Sequence, residues 1–221
     1  MIERNFPATT HGRYLVHGPE SGAPMLVGFH GYAEPADAEF ERLRSIEGSD
    51  RWLVVAIQAL HRFYRGRSRD VVASWMTRQD RELAISDNAE YTSKVIDSVS
   101  REWSAVGSLV LSGFSQGVAM AYRCAVNSTR PVNGVIALGG DIPPELDAAS
   151  LSRIPAVLLG QGKRDEWYTA EKLALDTERL RAAGVKMQTV VFDGGHEWSE
   201  EFGQAASRFL RAIRGSDVSG T

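Results

Sequence analysis

Seven short apolar runs recur along the chain, with amphipathic stretches between them. They are Arg13–His17, Pro24–Phe29, Trp52–Ile57, Ser108–Leu111, Val132–Leu138, Ala156–Leu159 and Met187–Phe192. The inner ones are apolar at consecutive positions, as in Leu53-Val54-Val55-Ala56-Ile57. That pattern predicts strands buried on both faces. Between them, Ile85, Ala89, Thr92, Val95, Ile96, Val99 and Trp103 repeat every three or four residues, the spacing of one helix face. Thr169 is placed to cap a helix carrying Leu173, Thr177 and Leu180, and Gly184 follows as its stop signal. Ser199 is placed to cap the last helix, with Glu200 and Glu201 in its electropositive first turn and Phe202, Ala206, Phe209 and Ile213 on its buried face. Strands alternating with helices predict an α/β protein: a mostly parallel sheet of about seven strands, with helices on both faces. In such sheets the chemistry gathers at the carboxyl ends of the strands.

Composition narrows this picture. A chain of 221 residues, 43% of them hydrophobic, is long enough for one sizeable core. No repeat or linker divides it, so residues 1–214 are expected to form a single domain. The polar, glycine-containing stretch 215–221 reads as a disordered tail. Only Gly139 to Pro155 separates two of the strands, too little for a large cap domain. The net charge of −3, from 25 basic and 28 acidic side chains, gives no expectation of nucleic acid or of an anionic membrane surface as partner. The one cysteine, Cys124, allows no intrachain disulfide, which fits a reducing compartment. The start, Met1 to Pro7, lacks the apolar run of a signal peptide, and no segment approaches the roughly 20 apolar residues of a membrane span. A cytoplasmic protein is expected, monomeric or homodimeric.

The candidate chemistry starts at Gly113-Phe114-Ser115-Gln116-Gly117. An apolar strand precedes this G-x-S-x-G pattern and a small-residue helix follows it. Ser115 is then expected in a tight, strained turn that lifts its hydroxyl above the sheet edge. Side chains at positions 113 and 117 would collide as strand and helix close on each other. Cys124, well inside the following helix, reads as a packing residue.

A serine hydroxyl is a weak nucleophile until a base takes its proton. Of the five histidines only His196 follows Ser115, the order in which serine, acid and base occur on such a sheet. It lies in Asp193-Gly194-Gly195-His196, between the last strand and the last helix. The acid that orients the imidazole is best supplied by Asp165, which follows the strand at Ala156–Leu159. Asp141, after the preceding strand, is the rival. Asp193 reads as shaping the histidine loop.

Acyl transfer builds negative charge on a carbonyl oxygen, which backbone N–H groups stabilise. The N–H of Gln116 is one candidate donor, and that of Tyr32, turned inward by Gly31, is the other. His30, just before, reads as structural, bonded to the backbone of its own loop.

Assembled, these motifs resemble the phospholipase/carboxylesterase family of α/β-hydrolases, which includes acyl-protein thioesterases. The resemblance is carried by Gly28-Phe29-His30-Gly31-Tyr32, Gly113-Phe114-Ser115-Gln116-Gly117, Gly160-Gln161-Gly162 leading to Asp165, and Gly194-Gly195-His196, and it runs from about Arg13 to Ile213. It implies an α/β-hydrolase fold, with Ser115, Asp165 and His196 catalytic, Tyr32 and Gln116 as oxyanion donors, and no metal or organic cofactor. The chain departs from the family where Tyr32 replaces a small residue, and where the basic run His61–Arg69 stands in place of a longer apolar loop. Both departures point to small or medium acyl groups.

The stretch Gln58 to Asp80 is the candidate lid, with Trp75 and Met76 as candidate walls of the acyl site. Trp198 and Trp167 are candidates for other walls. Arg62, Arg65, Arg67 and Arg69 are candidates to meet an anionic leaving group. The expected activity is hydrolysis of a small-molecule carboxylic ester or thioester by a serine enzyme. A dienelactone-type or peptidase-like hydrolase is the alternative within enzymes, and a non-catalytic binding module the alternative outside them.

Overall fold

The seven apolar runs assemble into one seven-stranded sheet. The computed structural model describes residues 1–218, with side chains described to residue 215. In chain order the elements are β1 (Arg13–His17), β2 (Met25–Phe29), α1 (Ala36–Ser45), β3 (Leu53–Gln58), β4 (His61–Tyr64), β5 (Val71–Ser74), α2 (Arg81–Glu102), β6 (Leu109–Phe114), α3 (Gln116–Asn127), β7 (Gly134–Leu138), α4 (Ala148–Leu151), β8 (Ala156–Gly162), α5 (Ala170–Ala182), β9 (Lys186–Phe192) and α6 (Glu200–Val218). The sheet order is β1-β3-β2-β6-β7-β8-β9. Only β1 runs antiparallel to its neighbour. This is the α/β-hydrolase fold.

Alternation along the central strands divides the core in two. In β2, Met25, Val27 and Phe29 join one cluster while Leu26 joins the other. The first cluster holds Val95 and Val99 of α2, Val118 and Tyr122 of α3, and Leu173 and Leu180 of α5. The second holds Leu43 of α1 and Phe202, Phe209 and Ile213 of α6. Burial on both faces therefore explains why these strands read as unbroken apolar runs.

The connections after β2 and β6 lead to helices on opposite faces, so the sheet's topological switch point lies between these two neighbouring strands. Ligands of open α/β sheets bind in the crevice outside such a point. Phe29 and Gly113 pair in register there, which sets the residues after them side by side.

Three features depart from the sequence expectation. The candidate lid, 58–80, carries strands that its sequence did not suggest: β4 and β5 form an antiparallel hairpin, His61 opposite Ser74 and Tyr64 opposite Val71. An additional helix, α1, forms over Ala36–Ser45. Helix α6 continues to Val218, past the break expected at Gly215. A single glycine costs a helix only about 1 kcal/mol and does not end it by itself. The remainder of the expected tail, 219–221, lies outside the described residues. Among the described residues, no helix is long and apolar enough to cross a membrane.

Candidate active site

Strand β6 ends at Phe114 and α3 begins at Gln116, so Ser115 alone makes the turn. Its backbone sits at φ +52° and ψ −120°, a region that costs a non-glycine residue on the order of 1–3 kcal/mol. Its surroundings hold it there. The Ser115 N–H donates to the Leu138 carbonyl at 2.9 Å, and the Val118 N–H donates to the Ser115 carbonyl at 3.0 Å. The flanking glycines are needed for close approach. A Cβ at Gly113 would lie 2.6 Å from the Gly117 backbone, and one at Gly117 only 1.9 Å from the Phe29 carbonyl oxygen.

The loop between β9 and α6 brings His196 over this turn. His196 Nε2 lies 2.8 Å from Ser115 Oγ, and Nδ1 lies 2.8 Å from Asp165 Oδ2. The Asp165 side chain is 1% exposed. Its other oxygen accepts the N–H groups of Trp167 and Tyr168, at 2.8 and 2.9 Å. The carboxylate is thus fixed by its own loop and turned toward one imidazole nitrogen. The loops of Asp165 and His196 are tied together: the Lys163 N–H donates to Phe192 O and the Arg164 N–H to Gly194 O. Asp193 pairs with Arg164 at the surface of this junction. The rival acid, Asp141, instead pairs with Lys172 Nζ at 3.0 Å on the rim of the cleft.

Both expected oxyanion donors lie at the switch point. Gln116 is the first residue of α3, so its N–H precedes the helical hydrogen-bond ladder. In the loop after β2, the Gly31 N–H donates to Glu34 Oε2 and the Ala33 N–H to Ala73 O. The Tyr32 N–H between them has no acceptor among the described residues. Below this loop, Arg42 grips Glu34 through both terminal nitrogens and lies 4.2 Å over the Phe114 ring. Phe114 in turn packs on His196, ring centroids 5.0 Å apart.

His30 is fully buried, with both ring nitrogens engaged. Its Nε2 accepts the Ala59 N–H at 3.1 Å, which leaves Nδ1 protonated to donate to the Gly31 carbonyl at 2.7 Å. Burial pushes its pKa down to about 4, favouring the neutral ring that this bonding needs. Cys124 is buried too, and burial raises its thiol to about 11, which leaves it no thiolate character near neutrality.

The candidate walls separate. Met76 lines a cleft of about 260 Å³ that opens beside Ser115. Trp75 does not line it, contrary to expectation. It is fully buried, and its indole N–H donates to the His30 carbonyl at 2.8 Å. Trp198 is absent from the lining as well, because it packs edge-on against Phe202 of α6. Trp167, 73% exposed, does line the cleft.

The four hairpin arginines are also elsewhere. Arg62 bonds the His11 carbonyl, Arg65 the Ala33 carbonyl, and none of the four lines the cleft. The cations that do line it are Arg81, Arg123 and Lys172, from three separate helices. No local motif connects them, so the sequence offered no signal. A role for the Gln116 side chain also escaped sequence reasoning. It accepts the Trp75 N–H at 2.9 Å and donates to the Met76 carbonyl at 3.2 Å, pinning the end of the hairpin to the Ser115 turn. Among the described residues no group of three or more His, Cys, Asp or Glu side chains is placed to hold a metal ion.

Comparison with known proteins gives this geometry a family. Esterase PE8 superposes with a TM-score of 0.72 at 22% identity, covering 92% of this chain and 100% of that one. The carboxylesterase of Bacillus cereus gives 0.72 at 12% identity, covering 91% and 94%. SOBER1 of Arabidopsis thaliana gives 0.71 at 15% identity, covering 87% and 100%. At these identities the likeness is one of fold. A search of curated proteins finds no match. A sequence model described as Phospholipase/Carboxylesterase matches residues 69–214, well over half of the chain. The chain therefore belongs to the phospholipase/carboxylesterase family of α/β-hydrolases.

Proposed function

We propose that this chain is a serine hydrolase that cleaves a carboxylic ester or thioester of a small to medium acyl group through an acyl-enzyme intermediate. The observation that carries this reading is the unbroken relay from Ser115 Oγ through His196 to Asp165, with 2.8 Å at each link. Asp165 accepts a hydrogen bond from the Nδ1–H, so Nε2 is left with its lone pair toward the serine hydroxyl. As Ser115 Oγ attacks the substrate carbonyl, its proton passes to Nε2, and Asp165 stabilises the resulting imidazolium. The negative oxygen of the tetrahedral intermediate is received by the N–H groups of Gln116 and Tyr32. Loss of one such donor typically costs about 3–4 kcal/mol in the transition state. His196 returns the proton to the departing alcohol or thiol. Water, activated by the same imidazole, then releases the acid and restores Ser115.

The limit on acyl size rests on the cleft, whose volume of about 260 Å³ is below the usual range for drug-sized ligands. The test is a panel of p-nitrophenyl esters and thioesters of increasing acyl length. Turnover should be greatest for short and medium acyl groups and fall at least about 10³-fold in Ser115→Ala. Turnover unchanged in that variant contradicts the assignment.

A further inference from the structure

The cleft beside Ser115 is cationic, and its cations are incompletely neutralised. Helix α3 projects Gln116, Ala119 and Arg123 along one face, a stripe that leads from the nucleophile turn into the cleft. Arg123 is 3% exposed. Its Nε and Nη2 both lie 2.7 Å from Glu145 Oε1. Its third nitrogen, Nη1, is buried and has no hydrogen-bond partner among the described residues. Such a donor is unfavourable unless an acceptor is supplied. Glu145 itself lines an adjoining depression on the other side of Arg123.

Arg81, the first residue of α2, faces the same cleft. Its one hydrogen bond among the described residues is to a weak acceptor, the Met76 sulfur, at 3.0 Å. No carboxylate lies in ion-pair contact with it among the described residues, and Glu145, already bonded to Arg123, acts on it only at longer range. The third cation, Lys172, is satisfied by Asp141 and by the Trp167 carbonyl. Asp141 is the one carboxylate in the lining and is already held by Lys172. Two guanidinium groups that line the cleft therefore retain unused donors.

We propose that Arg81 and Arg123 form a subsite for a compact oxyanion, so that the preferred ester carries a carboxylate or phosphate several bonds from the scissile carbonyl. This rests on Ser115 as nucleophile. Guanidinium groups suit the planar, bidentate geometry of such anions. Arg123 lies about 12 Å along the helix from Ser115, and helical side chains lean back toward the N-terminus. That separation leaves room for a short carbon chain between the carbonyl and the anion. Arg62 and Arg65, which bond the backbone carbonyls of His11 and Ala33, and Arg67 and Arg69, which do not line the cleft, have no part in it.

The experiment compares monomethyl adipate with a neutral isostere in which isopropyl replaces the carboxylate. Hydrolysis is followed by pH-stat in wild type, Arg81→Gln and Arg123→Lys. The wild type should favour the anionic ester by at least about tenfold in kcat/KM. Arg81→Gln should bring that ratio toward one, and Arg123→Lys, which keeps the charge but loses the fork, should lower it. Acetate esters of hydroxybutyrate and of hydroxypropyl phosphate place a carboxylate or a phosphate on the alcohol side. Whichever anionic ester shows the largest ratio identifies the source of the oxyanion. Equal or better cleavage of the neutral isosteres in all arms overturns the subsite and leaves Ser115 untouched. If the wild type cleaves neither these esters nor the ester and thioester panel above, the nucleophile reading fails instead. The subsite is then judged by thermal shift alone, with adipate and inorganic phosphate as probes. A rise in Tm lost in Arg81→Gln sustains it, and no rise with either probe overturns it.

Discussion

Two histidines sit at the same edge of the sheet, and their surroundings give them opposite characters. His30, after β2, is wholly buried and receives a backbone N–H at Nε2. His196, after β9, has a side chain 23% exposed and meets a hydroxyl at Nε2. In both, the other nitrogen is held by an oxygen, the Gly31 carbonyl for one and the Asp165 carboxylate for the other. The difference lies in what each Nε2 faces and in the charge behind Nδ1. A backbone amide has no proton to give up near neutrality, whereas a serine hydroxyl can transfer one. A carboxylate stabilises an imidazolium, and a carbonyl inside an apolar core does so far less. One ring is therefore a brace for the Gly31–Tyr32 loop, and the other is the base of the proposed mechanism.

The largest expected effect comes from making His196 resemble a ring that accepts no proton. Asp165→Asn offers an amide donor to Nδ1, moves the ring proton to Nε2 and removes the lone pair that faces Ser115. Steady-state kinetics should show kcat falling about 10⁴-fold with the fold retained. Asp141→Asn, which disturbs only the pair with Lys172, should lose less than about tenfold. If Asp141→Asn has the larger effect, Asp165 is not the acid.

His30 sharpens the comparison through stability. Its folded pKa of about 4 is below the ordinary value of 6.5. The unfolded chain therefore binds the extra proton first, and stability falls as pH drops from about 6.5 to 4. Denaturant titrations should show the stability difference between wild type and His30→Gln shrinking by about 3 kcal/mol between pH 7 and pH 4. Glu39, whose carboxyl burial pushes up to about 7, has the opposite slope: stability falls as pH rises from about 4.5 to 7. It is present in both proteins and cancels in the difference. A difference that does not change with pH contradicts a neutral, buried His30.

The smallest effect concerns the tie between the hairpin and the nucleophile turn. Gln116→Leu keeps the backbone N–H but strands the Trp75 N–H, while the Met76 carbonyl keeps only the Ser74 hydroxyl as donor. Unfolding should become easier by about 1–3 kcal/mol. No loss of stability would show that the side chain is not a structural link.

Much of the fold was legible because two-face burial leaves a plain mark: consecutive apolar residues can serve no other purpose in strands such as Leu53–Ile57. Ser115 and His196 were legible because each stands at a strand end in a glycine-marked turn. The hairpin was not, since His61-Arg62-Phe63-Tyr64 is largely exposed and carries no alternation. Helix α1 was hidden for a related reason: one of its buried positions is Glu39, a carboxylate matched by Arg42 rather than an apolar residue. Trp75 and Trp198 show the limit of size as a clue, since a large aromatic serves a core as readily as a pocket. Arg81, Arg123 and Lys172 converge only through tertiary packing.

The central claim is that Ser115 is the nucleophile and that His196 activates it. Its most direct measurement is fluorophosphonate labelling followed by peptide mass mapping. The account predicts one covalent adduct per chain, located on Ser115, absent from Ser115→Ala and formed far more slowly in His196→Gln. An adduct on another residue, or labelling that persists in Ser115→Ala, would contradict it.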